Sequence, residues 1–216
     1  MEAGSQRQYF KLSRICVATS KARAYYALVS RLKGSGLPFS SVVPESDVGD
    51  CDVVLTTEAE SERYGVKALA LERLDESPGI FKGQVLSRLG GEDDLILVGV
   101  DPGKRTGVAV FYGRTALSSD TYDSAPGVFS RVAAYARAMP TSRVLIRVGN
   151  GNRSLAAKLA EGLGTEVPAA TVELVDESGT SVRTSKMKGV QGDQVAAAKI
   201  AFRKGEVVSR PTRSRG

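Results

Sequence analysis

Apolar residues come in short bursts along this chain, and the spacing inside each burst predicts what it forms. Residues 14–20 (R-I-C-V-A-T-S) read as a short buried strand. Residues 21–33 place Ala22, Tyr25 or Tyr26, Val29 and Leu32 at helical spacing and stop at Gly34-Ser35-Gly36, a C-cap signal. Residues 39–43, 52–56 and 66–71 read as further strands. A short polar helix is expected over 58–64, preceded by Thr57 and Glu60 at capping-box spacing, and another helix over 80–89. Strands alternating with helices predict a small α/β sandwich domain with a mainly parallel sheet over residues 1–90. Its first strand-to-helix turn lacks a glycine-rich dinucleotide fingerprint, and Gly34-Ser35-Gly36 follows a helix, which marks it as punctuation.

The acidic, glycine-led segment 90–94 (G-G-E-D-D) interrupts this pattern and is the expected domain boundary. Beyond it, strands are expected over 95–100, 107–112 and 114–122, joined by tight turns as an antiparallel meander. A helix over 125–139 ends before Pro140. A strand over 143–148, a helix over 152–163, a strand over 171–175 and a helix over 191–202 complete the unit. The order β-β-β-α-β-α-β-α is that of the ribonuclease H fold. The expected fold class is therefore α/β, with a ribonuclease-H-like domain over 94–205 holding a mixed five-stranded sheet, and residues 206–216 as a basic tail.

Composition narrows the chemistry. No stretch approaches the roughly 18 uninterrupted apolar residues of a membrane span, and the first residues hold no signal-peptide core, so a cytoplasmic protein is expected. Cys16 and Cys51 are expected to be buried free thiols, since two cysteines in 216 residues make no disulfide scaffold. With no histidine in the chain, Ser-His-Asp and Cys-His catalysis and the usual zinc sites are excluded. Metal chemistry would have to use carboxylates, which suit magnesium or manganese. The formal charge of +6 sits mostly in the second half, net +5 over 91–216 against +1 over 1–90. A polyanionic partner accounts for that excess, as does a solvated tail. Aromatic residues at 6%, with no tryptophan, argue against a base-stacking single-strand binder.

Three segments carry candidate chemistry. In G-V-D-P-G-K-R-T-G-V-A-V (99–110), Asp101 ends a buried strand, where a carboxylate needs a partner or a metal. Asp before Pro-Gly is also good turn chemistry. In V-E-L-V-D-E-S-G-T-S (172–181) a strand ends in Asp176 and Glu177, which a solvated strand end explains equally. In G-D-Q-V-A-A-A-K-I-A (192–201), Asp193 opens a helix of small residues that could lie close to a sheet; Asp193 also suits the helix dipole on its own.

Together these segments resemble the RuvC/YqgF nucleases. The resemblance implies that Asp101, Glu177 and Asp193 are catalytic and hold the metal, two Mg2+ or Mn2+ ions about 3.5–4 Å apart. Ser178 stands where that family has Arg, and the strand over 143–148 has Arg147 and no acid, which places the chain nearer YqgF than the resolvases. Lys104, Arg105, Arg153, Arg183, Lys186 and Lys188 are the expected nucleic-acid contacts. The G-N-G-N-R turn at 149–153 also reads as a plain Asn helix cap, and the 183–188 loop as solvated. The implied activity is metal-dependent hydrolysis of phosphodiester bonds in structured DNA or RNA, such as a junction or a precursor RNA. The alternative is a nucleic-acid-binding module that does not cut, with the first domain as a protein-docking surface. No membrane partner is expected, and a homodimer is left open. An actin-like ATPase would need a second such domain and phosphate loop, and neither is present in the sequence.

Overall fold

A computed structural model describes residues 14–90, 94–140, 142–176 and 192–209, the side chains of Asp193 and Ser209 excepted. The chain forms two compact units, residues 1–81 and 82–216, and the division falls inside the helix Pro78–Leu89, whereas the acidic segment suggests 90–94. Among the described residues no helix is long and apolar enough to cross a membrane.

The N-terminal unit is built on four strands, β1 (Ile15–Val17), β2 (Ser40–Ser41), β3 (Val53–Thr56) and β4 (Ala68–Ala70). All pair in parallel in the order β2-β1-β3-β4. Helix α1 (Ala22–Ser35) turns Ala24, Leu28 and Leu32 inward and ends at Gly36, whose left-handed φ of 66° suits a residue without Cβ. Successive strand residues face opposite ways, so Cys16 and Ala18 point away from Val17. They form a second small core with Cys51, Val54 and Tyr64, covered by Val42, Val48 and Ala68. The short polar helix expected over 58–64 is a 3-10 helix, Glu58–Lys67, kinked at Gly65 (φ 54°). The expected free thiols are instead joined: Cys16 and Cys51 form a disulfide, with Cα atoms 5.9 Å apart. Their sequence separation of 35 concealed this, because only the parallel pairing of β1 with β3 brings the segment before β3 beside β1.

Helix α2 (Pro78–Leu89) leads into the C-terminal unit. Its strands are β5 (Leu95–Asp101), β6 (Thr106–Tyr112), β7 (Thr115–Tyr122), β8 (Arg143–Gly149), β9 (Ala170–Val175) and β10 (Glu206–Ser209). Its helices are α3 (Ala125–Ala138), α4 (Arg153–Glu166) and α5 (Gly192–Ala201). The sheet order is β10-β9-β8-β5-β6-β7. β5, β6 and β7 form the antiparallel meander, while β8 and β9 run parallel to β5. The chain is thus a mixed α/β protein, and five of these strands follow the ribonuclease-H-like order. The sixth differs from expectation: Glu206–Ser209, read from charge as the start of a basic tail, pairs antiparallel with β9. Val207 and Val208 within it supply the β-branched pair that the flanking charges disguise.

Candidate functional site

The C-terminal ends of β5, β8 and β9 lie along one edge of the larger sheet because the three strands are parallel. Asp101 ends β5, half-buried, opposite Gly107 of β6. The hairpin between them puts Lys104 and Arg105 in solvent. Arg105 is tied back to β7: its Nε lies 3.0 Å from Asp123 Oδ1, and Nη2 donates to Thr121 Oγ1 at 2.9 Å. Lys104 is the more available cation of the two.

Helix α5 lies directly on this sheet. A Cβ on Gly99 would overlap Ala197 O and come within 2.7 Å of Ala201 N, so the helix backbone rests on β5 where β5 has no side chain. Ala197 and Ala201 share a core with Leu97, Ala109 and Phe111, and Phe202 meets Phe111 edge-on at 4.8 Å. Phe111 is paired with Leu97, two residues before Gly99. The helix that carries Asp193 in its first turn thus lies on the strand that ends in Asp101, on the face that Gly99 and Asp101 share. Glu177 follows β9 and the exposed Asp176 but lies outside the described residues, as do Arg183, Lys186 and Lys188. Among the described residues no three acidic or cysteine side chains are grouped to hold a metal ion.

Arg147, the cation inside the fourth strand, has a defined place on the same face. It pairs in register with Gly99 on one side and Glu173 on the other. Its Nε donates to Glu173 Oε2 at 2.8 Å and its Nη1 to Ala201 O at 2.7 Å. Gly205 N donates to the same Glu173 oxygen at 3.1 Å. The pair is largely buried, 14% and 11% exposed, and joins β8 and β9 to the last carbonyl of α5. Beyond β8, Asn152 caps α4, its Oδ1 accepting from Leu155 N at 3.2 Å, and Arg153 is exposed in the first turn. The plain capping reading of that turn describes Asn152.

The N-terminal unit holds a second polar cluster that composition does not announce. In its sheet the crevice between β1 and β3, at their C-terminal ends, is where the strand order reverses and where such folds take ligands. Glu60 fills it. One carboxylate oxygen accepts from Ser20 N at 2.8 Å and Ser20 Oγ at 2.7 Å. The other accepts from Thr19 Oγ1 at 2.5 Å and Thr57 Oγ1 at 2.7 Å. Burial disfavours the charge, but the hydrogen bonds from Thr19, Thr57 and Ser20 outweigh it and hold the carboxyl at about 2. The Thr57-x-x-Glu60 spacing signalled a capping box; the glutamate instead reaches across to β1, because the helix it opens lies beside that strand end. With both oxygens engaged, the group clamps strand ends together.

A folded-state pKa below the ordinary carboxylate value adds stability above the unfolded pKa and loses it as pH falls through the folded one. The N-terminal unit should therefore lose about 1–3 kcal/mol between roughly pH 5 and pH 2 through Glu60, allowing for partial solvent screening. In Glu60→Gln that part of the acid dependence should vanish and neutral-pH stability should drop. Equal acid slopes for the two proteins in urea titrations would disprove the clamp.

The family model that matches this chain is that of a response regulator receiver-like domain, over residues 14–78. No curated protein and no solved structure matches the chain. The match overturns the resemblance to RuvC/YqgF nucleases, because it is to a different family and to the other half of the chain, and that family is not a nuclease one. The motifs behind that resemblance were short and individually ambiguous. An Asp before Pro-Gly makes a turn, and an Asp in a first helical turn complements the dipole, with or without a metal. The stretch 14–78 read only as a generic α/β pattern because its strand ends carry Thr19, Ser20, Thr56 and Thr57, which signal no chemistry alone.

Proposed function

We propose that the C-terminal unit hydrolyses phosphodiester bonds in structured DNA or RNA with Mg2+ or Mn2+, in the cytoplasm. The reading rests on one observation: α5 packs backbone-to-backbone on Gly99, so the helix that carries residue 193 lies against the strand that ends in Asp101. Asp101, Asp193 and Glu177 are the residues that would hold the ions, and their hard carboxylate oxygens fit such cations. Two ions so held would supply Lewis acidity, activating water and stabilising the leaving 3′ oxygen. The protein's part is to fix Asp101 at a rigid strand end and to offer the exposed Lys104 and Arg153 to the phosphate backbone, contacts that position without reading sequence.

A second reading is binding without cleavage, with the N-terminal unit as a docking surface for protein. The receiver-like match over 14–78 favours it, as does the fourth strand, where Arg147 is committed to Glu173 and no acid faces the site. Millimolar manganese should raise the melting temperature of the wild-type protein by mass action. Asp101→Asn should remove that rise, leave nucleic-acid binding intact, and slow cleavage by about a hundredfold or more, since metal stabilisation of developing charge is worth several kcal/mol. Binding with no manganese response and no cleavage would select the second reading.

A further inference from the structure

The two faces of the N-terminal sheet are covered in different ways. One carries the fourteen-residue helix α1, with three buried side chains. The other is covered in part by residues 42–51, which contain no helix or strand. From that segment only Val42, Val48 and Cys51 reach the core formed with Cys16, Ala18, Val54 and Tyr64. Val43, Glu45, Asp47 and Asp50 are exposed, and Val43 is 65% so. The segment's own hydrogen bonds are local turns, Ser46 N to Val43 O and Cys51 N to Val48 O. Its first residue is tied to β1 by the backbone bond from Val42 N to Val17 O at 3.0 Å, and beyond it the hydrogen bonds to the rest of the unit run through side chains at the rim, among them Tyr64 Oη to Pro44 O, Lys67 Nζ to Gly49 O, and Arg14 to Asp50. The Cys16–Cys51 bond is the one covalent tie among these, and it joins the segment to β1, next to the middle of the sheet.

We propose that the Cys16–Cys51 disulfide is a redox latch on residues 42–51, whose reduction opens that face of the receiver-like unit while the α1 face stays folded. Both sulfurs are buried, but Cys51 belongs to the weakly held segment, so a local opening exposes it without breaking strand pairing. Low-cost openings of this kind are expected where buried apolar contacts are few. The reductant is a dithiol. One of its thiolates attacks Cys51 Sγ, the protein S–S bond breaks, and Cys16 leaves as a thiolate that takes a proton. The reductant's second thiol then displaces Cys51 from the mixed disulfide. Two electrons and two protons have moved to the protein, which carries two thiols, and the reductant is left as a disulfide. The latch reading rests on the cytoplasmic location proposed above, where disulfides are usually transient or redox-sensing.

The test is amide hydrogen exchange on the full-length protein, oxidised and then treated with dithiothreitol. Exchange over residues 42–51 should speed up at least tenfold on reduction, residues 22–35 should keep their protection, and reoxidation should restore the first state. Cys51→Ser should exchange like the reduced protein and ignore dithiothreitol. Two titratable thiols in the denatured, unreduced protein would overturn the proposal. So would unchanged exchange over 42–51, or a parallel loss of protection across 14–78, which would make the bond a staple for the whole unit.

Discussion

Gly99→Ala is expected to destabilise the C-terminal unit by about 3 kcal/mol or more, the upper end for an overpacked site. A methyl there would meet Ala197 O, Ala197 C and Ala201 N, all backbone atoms of α5. Those atoms flank one turn of a helix held on the sheet by Ala197, Ala201 and the Phe202–Phe111 contact, so no side chain can swing aside. The helix must lift, and with it the first turn that carries Asp193. Any manganese response of the protein should weaken along with its stability. Gly34→Ala is the matched control: it lies inside α1 with nothing within 4 Å of the new methyl, and should stabilise by up to about 1 kcal/mol. Urea unfolding of the full chain, followed through its later or earlier transition as assigned by exchange, measures both. A cost below about 1 kcal/mol for Gly99→Ala would mean that α5 does not rest on β5.

Arg147→Met should cost about 3–5 kcal/mol, the range for removing one partner of a buried pair. Glu173, 11% exposed, would keep only the Gly205 amide as donor among the partners described above, and Ala201 O at the end of α5 would lose its guanidinium. The double variant Arg147→Met/Glu173→Leu should recover about half of that loss, because the uncompensated charge is gone while Gly205 N and Ala201 O still lack their partners. The sign of the coupling is the diagnostic. If the double variant is less stable than Arg147→Met, the carboxylate is solvated and the pair is not the fastening described.

The element pattern was determined locally. Leu95–Asp101 is a continuous apolar run that ends in an acid, Pro140 stops α3, and Gly36 ends α1, because each signal lies within one turn or one strand of the structure it specifies. From these the α/β class and the ribonuclease-H-like strand order could be read. Composition likewise confined any metal site to carboxylates, since no histidine is present. What the chain does with its polar residues was decided in three dimensions. Glu60 takes its partners from Thr19 and Ser20, about forty residues away, Arg147 finds Glu173 across a strand pair, and Cys51 meets Cys16 only because β1 and β3 are neighbours. A local pattern records how often a residue is buried but not which distant atom it is buried against. Val207 and Val208 make the same point in reverse: charge around them read as a solvated tail, and the open edge of β9 made them a strand.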